Sequence, residues 1–385
     1  MFVPRRIVPS LQQQLGKYPV LALTGPRQSG KTTILQEVFP EYTYVSLENV
    51  DIRERALTDP NGFLRTYDNM VIFDEVQRAP SLFSYLQTKV DRDKKMGQYI
   101  LSGSQNFLLL DGITQSLAGR VALFKLFPFS FSEMLSAQLL ADNWMEATFT
   151  GFYPAIFDRK VEAPVFYNNY LETYVERDVR NLRSVQDLRV FRLFLKRCAA
   201  NAGQLLNLNR LAIDTGITIP TAKAWLSILE SSYIVFMLSP YFRNFKKRLV
   251  KTPKLFFYDT GLLCNLLEIK SPADLDNYFQ RGSIFENLIL AEIVKDRWHH
   301  GERPSFYFWL DNHQVEVDLV WEEQSHLNLL EIKSSHTVLP NHFKGIEKVS
   351  KTLGDFSGKR FGVYAGDSGF YLHDVEVMGW KEMKF

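Results

Sequence analysis

The stretch Val20-Leu21-Ala22-Leu23-Thr24-Gly25-Pro26-Arg27-Gln28-Ser29-Gly30-Lys31-Thr32 decides the fold of this chain. Its first five residues form an apolar run that predicts a buried β-strand, and the glycines that follow predict a turn into a helix. Gly25, Gly30, Lys31 and Thr32 fit the pattern G-x-x-x-x-G-K-[ST], which is typical of loops that bind nucleotide phosphates. The stretch therefore predicts a nucleotide-binding α/β fold.

Each part of this pattern has a physical role in phosphate binding. A helix N-terminus presents unpaired N–H groups and the positive end of the helix dipole to an anion. Gly25 and Gly30 allow the backbone to curl around phosphate without a Cβ clash. We expect Lys31 to reach the β- and γ-phosphates of a nucleoside triphosphate and the Thr32 hydroxyl to hold Mg²⁺. The predicted nucleotide-contacting residues are Gly25, Pro26, Arg27, Gln28, Ser29, Gly30, Lys31, Thr32 and Thr33.

Length and composition describe a globular chain with more than one domain. A chain of 385 residues exceeds one ordinary core, and 46% hydrophobic with 23% charged residues is usual for a soluble protein. The net charge of +2 neither indicates nor excludes nucleic acid as a partner. Cys198 and Cys264 lack metal-ligand spacing. Because no signal-peptide pattern or membrane-length apolar run is present, we expect a cytoplasmic protein with no membrane partner.

A second strand ends in two acids. Residues 70–75 (MVIFDE) predict a buried parallel strand followed by Asp74 and Glu75. We expect Asp74 to hold Mg²⁺ with Thr32, and Glu75 to orient or deprotonate the attacking water. Because this strand follows a phosphate-binding loop in the same β/α alternation, it indicates a site that hydrolyses a nucleoside triphosphate.

Two further features each have two interpretations. The predicted strand 98–106 ends in polar side chains, and Ser104, or its neighbours Gln105 and Asn106, would sense the γ-phosphate; alternatively, they form a capping turn into the next helix. Arg120 ends a predicted helix just before another strand. It would either neutralise transition-state charge at a neighbouring copy's nucleotide or act as a cation at a helix C-terminus.

Four motifs together resemble one protein family. They are GPRQSGKT, VIFDEVQRAP, ILSGSQNFLL, and SLAGR before LFPFSFSE. In their order and spacing they resemble the prokaryotic AAA-like P-loop ATPases with a C-terminal domain of unknown function, over nearly the whole chain. The resemblance implies an α/β domain over residues 1–135, with a parallel sheet, a central P-loop strand and helices on both faces. It also implies ATP as the nucleotide and Arg120 as an arginine finger within a homo-oligomer.

Residues 136–275 predict a helical linker followed by a winged helix. Residues 167–182 alternate aromatic and charged side chains at helical spacing, which favours an amphipathic helix at a domain junction. Two short helices meet at Gly216, as in a helix-turn-helix, and two strands follow them. The predicted helices are 208–215 and 219–230, and the predicted strands are 233–238 and 254–258.

The loop between those two strands is basic and aromatic. Its residues include Tyr241, Phe242, Arg243, Phe245, Lys246, Lys247, Arg248 and Lys251. Such a loop can grip DNA phosphates. The predicted recognition helix offers only Thr221 and Lys223 to read bases, so a solvated hairpin or an interface for an acidic protein remains an alternative.

Residues 276–385 predict a small α/β domain like the restriction endonucleases. Strands at 316–320 and 329–333 would place Asp318 opposite Glu331, with Lys333 on the same face. This resembles the PD-(D/E)xK nuclease core, in which two acids bind Mg²⁺ and the lysine positions water. Glu286 matches the helical acid of that core, while Val317 replaces its proline. The alternative is that these charges simply pair as ions.

Two functions follow from these features. The first is a Mg²⁺-dependent ATPase whose nucleotide state controls a DNA-binding or nuclease-like C-terminal region. The second is an ATP-dependent protein-interaction switch with an inert nuclease-like tail and no nucleic-acid chemistry. The basic loop and the acids near Lys333 favour the first, and the near-neutral total charge favours the second.

Overall fold

The computed structural model of the chain describes residues 2–104, 112–113, 115–175, 187–241 and 251–383. Its strands form two sheets. The strands of the first are β1 (Val20–Thr24), β2 (Thr43–Ser46), β3 (Val71–Asp74), β4 (Tyr99–Gly103) and β5 (Val121–Lys125). Their spatial order is β2-β3-β4-β1-β5, and every neighbouring pair is parallel. The P-loop strand β1 has a neighbour on each side, but the middle strand is β4, so the expected central position is only approximate.

Helices cover both faces of this sheet. They are α1 (Val8–Leu15), α2 (Lys31–Val38), α3 (Val50–Thr58), α4 (Pro60–Thr66) and α5 (Leu82–Asp93). Alternate side chains of β1 enter different cores because successive residues of a strand point to opposite faces. Val20 and Ala22 pack with residues of α3, α4 and α5. Leu21 and Leu23 pack with residues of α1 and α2. The predicted α/β fold with a parallel sheet is confirmed.

The middle region is mainly helical. Its helices are α6 (Phe131–Ser136), α7 (Trp144–Thr150), α8 (Pro154–Arg159), α9 (Ala163–Tyr170), α10 (Leu188–Ala200), α11 (Leu208–Thr215), α12 (Ile219–Ser231) and α13 (Thr260–Leu266). A π-helical turn, Leu171–Val175, follows α9, and the rest of the predicted helix 167–182 lies outside the described residues. Gly216, with φ +68°, ends α11.

Two antiparallel strands follow α12. They are β6 (Val235–Pro240) and β7 (Lys254–Phe257), so the first begins two residues later than predicted. Tyr233, with φ +59°, lies in the left-handed region, and an extended strand cannot begin there. Of the predicted basic loop, Tyr241 and Lys251 are described; Phe242, Arg243, Phe245, Lys246, Lys247 and Arg248 lie outside the described residues.

The last region adds two helices and six strands. They are α14 (Arg281–His299), β8 (Tyr307–Leu310), β9 (Glu316–Glu323), β10 (His326–Lys333), α15 (Lys344–Leu353), β11 (Ser357–Tyr364), β12 (Phe370–Leu372) and β13 (Val375–Gly379). The predicted hairpin of β9 and β10 is present and antiparallel. Gln324 and Ser325 form its two-residue turn with φ values of +46° and +65°.

The middle and last regions share one sheet rather than forming separate ones. Its order is β12-β13-β11-β10-β9-β8-β6-β7. Strand β6 pairs in parallel with β8 at Ser239 and Tyr307, so both edges of β6 are hydrogen-bonded to neighbouring strands. The core is also shared, because Phe131 and Trp144 pack in one cluster with Phe285. In the described part of the chain, no helix is long and apolar enough to cross a membrane.

Candidate functional site

The loop after β1 has the conformation that its glycines permit. Gly30 has a φ of +94°, which disfavours any residue with a Cβ. A Cβ at Gly25 would collide with the carbonyl oxygen of Leu126. Helix α2 begins at Lys31, directly after Gly30, so its unpaired N–H groups face the loop. The loop therefore has the curled backbone and the adjacent helix N-terminus that phosphate binding requires.

Lys31 and Thr32 lie at the start of this helix. The Lys31 ammonium donates hydrogen bonds to the carbonyl oxygens of Gly25 and Pro26, at 3.0 and 2.8 Å. Its side chain is thereby folded over the loop and buried. The Thr32 hydroxyl donates a 2.9 Å hydrogen bond to Oδ2 of Asp74. The phosphate loop and the end of β3 therefore meet.

Asp74 is held by two further hydroxyl groups. Tyr44, on β2, donates to its Oδ2 at 2.6 Å, and Ser102, on β4, donates to its Oδ1. Burial and the Asp74 carboxylate raise the pKa of Tyr44, so the phenol keeps its proton. Donors from two neighbouring strands and from Thr32 fix the orientation of the carboxylate. Thr32 and Asp74 are thus a fitting pair of oxygen ligands for Mg²⁺.

Glu75 has an unusual backbone. Its φ of +53° is in the left-handed region, which a non-glycine residue enters at a cost and which is frequent at active sites. The Ser104 hydroxyl donates to Oε2 of Glu75 at 3.1 Å, and the Gln77 amide donates to the same oxygen. The structure thus brings Ser104 to Glu75. Gln105 and Asn106 lie outside the described residues.

A cavity of about 520 Å³ lies beside the loop, a size typical of ligand sites. Its polar wall contains Arg27, Gln28, Gly30, Lys31, Thr32, Thr33, Glu48, Asp74, Glu75, Ser104, Asp158 and Arg159. Its apolar wall contains Phe2, Val3, Ile34, Phe129, Pro154 and Ala155. Of the predicted contacts, Gly25, Pro26 and Ser29 do not line the cavity and instead shape the loop.

Arg5 connects the phosphate loop to the segment that follows β5. Its buried guanidinium donates to the carbonyl oxygens of Ser29 and Phe127, at 2.8 and 2.6 Å, and pairs with Glu133 at 3.0 Å. Burial alone would raise the pKa of Glu133, but Arg5, His299 and the backbone N–H groups of Ser130 and Arg6 together outweigh it and lower that pKa to about 2. His299, at the end of α14, accepts a hydrogen bond from the Phe127 N–H at 3.2 Å.

Arg120 lies away from the cavity of its own chain. Its carbonyl oxygen accepts a hydrogen bond from the N–H of Val20, the first residue of β1. The phosphate loop follows Thr24, the last residue of β1, and therefore lies at the opposite end of the strand. Its guanidinium forms two hydrogen bonds to the Asp91 carboxylate, at 2.5 and 2.8 Å. Arg120 therefore does not act on its own chain's nucleotide in this arrangement.

The predicted acids of the last region lie in one cluster, together with two lysines. Lys333 donates to Oε1 of Glu331 at 2.6 Å, and the Ile332 N–H donates to Oδ2 of Asp318 at 2.7 Å. Lys254 pairs with Glu286 at 3.0 Å. Burial and the Asp318 charge together outweigh Lys254 and raise the pKa of Glu286 to about 7.

The acids of this cluster are not arranged as a metal cage. Among the described residues, no group of three or more His, Cys, Asp and Glu side chains is placed to hold a metal ion. The predicted Mg²⁺ ligands Asp318 and Glu331 therefore remain a prediction. Lys254 contributes a positive charge that the predicted nuclease-like set does not contain.

Several of these contacts have no sequence motif. Arg5 and Lys254 are isolated basic residues far from their partners in the chain, so no spacing indicates them. Tyr44 and Ser102 could have been found, because both lie in β-rich runs whose strands, β2 and β4, end at the phosphate edge of the sheet.

Three family models match consecutive parts of the chain. A model described as an AAA domain matches residues 17–135. Models described as domains of unknown function, DUF8612 and DUF4143, match residues 141–273 and 281–383. The fold and the site thus define an α/β P-loop protein with an AAA domain, followed by two domains of unknown function.

Relatives extend over nearly the whole chain. Uncharacterized proteins of Mycobacterium tuberculosis and Mycobacterium bovis are each 30% identical over 384 residues, which is 98% of this chain and 83% of theirs. An uncharacterized protein of Haemophilus influenzae is 24% identical over 310 residues, 72% of this chain and 74% of its own. The chain belongs to the same family as the two mycobacterial proteins.

Two solved structures share parts of the fold. A Walker-type ATPase of Pyrococcus abyssi is 16% identical, with a TM-score of 0.45, over 68% of this chain and 94% of its own. AMPPCP-bound DnaA from Aquifex aeolicus is 17% identical, with a TM-score of 0.32, over 58% and 86%. These TM-scores are too low to bear on the function of this chain.

Proposed function

We propose that this chain is a Mg²⁺-dependent ATPase. The observation that carries the proposal is the 2.9 Å hydrogen bond between Thr32 and Asp74, which joins the phosphate loop to the acidic end of β3. The same two residues would hold Mg²⁺, which when bound neutralises charge on the phosphates. The Lys31 ammonium, which donates to the carbonyl oxygens of Gly25 and Pro26, lies in the loop that would receive the phosphates. The AAA domain match over residues 17–135 supports the proposal.

The chain's own residues supply the rest of the chemistry. Glu75 orients the attacking water and accepts its proton, and Ser104 with Gln77 fixes the Glu75 carboxylate. The apolar wall of the cavity, which includes Val3 and Phe129, receives the adenine base. Arg120 of a neighbouring copy completes the site, because Arg120 cannot reach the cavity of its own chain.

The nucleotide state has physical routes to the rest of the chain. We propose units at residues 1–135, 136–275 and 276–385, and two buried contacts join them. Tyr233, between α12 and β6, contacts Thr24 beside the phosphate loop. Arg5 contacts the loop at Ser29 and the carbonyl oxygen of Phe127, and the Phe127 N–H donates to His299 of α14. Binding of ATP therefore acts on elements that also support the shared sheet.

The ATPase proposal is tested by phosphate release from Mg·ATP with the full chain. We expect release by the native protein and none with EDTA, and we expect Lys31→Ala to lose ATP binding. Lys17→Ala removes an exposed lysine in the same region and is the matched control. Phosphate release by the Lys31→Ala protein at the native rate would contradict the proposal.

A second candidate function is DNA binding or cleavage by the C-terminal region. Two short helices and the antiparallel pair β6 and β7 support a winged helix, which we propose for this part. The order α14, β8, β9, β10, α15, β11 and the cluster around Asp318 support a nuclease-like unit. Salt-dependent retardation of DNA would support this function. No retardation at low salt would favour the protein-interaction switch.

A further inference from the structure

Lys254 is a buried cation with two acidic partners. Its ammonium lies 3.0 Å from Oε1 of Glu286 and 2.5 Å from Oε1 of Glu316, and its side chain is 6% exposed. Burying an ammonium group costs several kcal/mol unless carboxylates compensate for the lost water. The two carboxylates here compensate for it, so this lysine is fixed in the interior by charge.

The charge of Lys254 lies where the acids of the last region converge. Its ammonium group pairs with Glu286 and Glu316 and is also attracted by the charge of Asp318. Lys254 is the first residue of β7, whereas these acids belong to α14 and β9. The cluster is therefore closed by a side chain from the middle region of the chain.

The cluster also contains an unsatisfied carboxylate oxygen. Oε1 of Glu331 accepts from Lys333, but the buried Oε2 of Glu331 has no hydrogen-bond partner among the residues that the structure describes. The Glu331 residue is only 8% exposed, so water does not readily replace that partner. A buried carboxyl oxygen that lacks a hydrogen-bond donor is a position where a cation would be stabilised.

We propose that the Lys254 ammonium occupies the cation position of this cluster, and that a divalent cation enters only after Lys254 has left it. Four acidic side chains, those of Glu286, Glu316, Asp318 and Glu331, lie around the ammonium groups of Lys254 and Lys333. A divalent ion bound by Glu286 and Asp318 would lie close to the Lys254 ammonium and compete with it for the same carboxylates. The two cations would repel each other. The inference concerns the cluster of the second candidate function and does not depend on ATP hydrolysis.

The test is Mn²⁺ binding by the full nucleotide-free chain, measured from the electron paramagnetic resonance of free Mn²⁺. All proteins carry Asp74→Asn, which removes the metal ligand of the nucleotide site. We expect no Asp318-dependent Mn²⁺ binding with Lys254 present. Lys254→Met keeps the apolar stem without the charge, and we expect it to raise the affinity by about tenfold or more. Lys254→Gln is the second variant in case the first does not fold.

Controls separate this site from others. Lys254→Arg keeps the charge, and Lys251→Ala removes an exposed lysine nearby, so neither should gain Mn²⁺ binding. Adding Asp318→Asn to Lys254→Met should abolish the gained site. Mn²⁺ binding that depends on Asp318 while Lys254 is present would overturn the proposal. So would the absence of Mn²⁺ binding in the folded Lys254→Met and Lys254→Gln proteins.

Discussion

The hydroxyl oxygens of Thr24 and Tyr233 lie 2.7 Å apart, although 209 residues separate them in the chain. Thr24 is the last residue of β1, and the phosphate loop begins at the next residue. Tyr233 is buried and has a φ of +59°, which is uncommon for a bulky residue. The surrounding packing therefore holds Tyr233 at the phosphate loop, directly before β6.

Tyr233→Phe should weaken communication between the loop and the shared sheet. The change removes one buried hydrogen bond, so we expect a loss of about 1 kcal/mol in the free energy of unfolding. We also expect Mg·ATP to protect the C-terminal region from proteolysis in the native protein and to protect it less in the variant. The measurements are urea unfolding and limited proteolysis with and without Mg·ATP.

Tyr99→Phe is the matched control for this change. It also removes a buried hydroxyl from the first sheet, one that donates to the carbonyl oxygen of Asp68 at 2.8 Å. It touches neither the phosphate loop nor the second sheet. Equal proteolysis patterns for Tyr233→Phe and Tyr99→Phe would show that the contact with Thr24 carries no communication.

His299 should make the protein less stable in mild acid. Burial lowers its pKa to about 3, despite the attraction of Glu133, while Arg5, Lys295 and His300 also disfavour the charged ring. The unfolded chain binds this proton near the ordinary value of 6.5, so it holds more protons than the folded chain between those values. Stability contributed by the neutral ring is complete above pH 6.5 and is lost as the pH falls toward 3, by up to about 1.4 kcal/mol per pH unit.

His299→Gln isolates this effect. Glutamine keeps an acceptor for the Phe127 N–H but does not titrate, so the fall in stability between pH 6.5 and 4.5 should become shallower. Denaturant unfolding across this range measures it. His300→Gln changes the exposed neighbouring histidine and should leave the slope of stability against pH as it is in the native protein. An unchanged slope in His299→Gln would mean that His299 does not control the acid response.

Arg120 should act between copies of the chain. We expect the specific ATPase activity to rise with protein concentration, because each site needs a neighbour's arginine. Arg120→Ala and Lys31→Ala proteins should each be inactive alone and partly active when mixed, since one interface then contains both intact residues. Arg92→Ala, an exposed arginine on α5, is the control. A concentration-independent rate without rescue would leave Arg120 as a partner of Asp91 only.

The sequence predicts the first sheet well because its signals are local. The apolar run of β1, the glycines after it and the acids after β3 each depend on neighbouring residues. The meeting of Thr32 with Asp74 also follows, because the carboxyl ends of parallel strands share one edge of a sheet. The hairpin that carries Asp318 and Glu331 is predictable for the same reason, because its two strands follow each other directly in the chain.

What the sequence does not predict depends on distant pairings. The pairing of β6 with β8 joins residues about seventy positions apart, and neither strand encodes its partner. Lys254 is as far from Glu316, and Arg5 is 128 residues from Glu133. Such buried ion pairs form only after the fold has brought the elements together, so no local pattern marks them.

Glu75→Gln tests the central claim most directly. The amide keeps the shape of Glu75 and its hydrogen-bonding reach toward Ser104, but it cannot take a proton from water. We predict that the variant binds Mg·ATP with native affinity and that its rate of phosphate release falls by about a hundredfold or more. Measuring nucleotide binding and phosphate release on the same preparation separates the two effects. Native turnover by Glu75→Gln would contradict the assignment of Glu75 as the group that activates water.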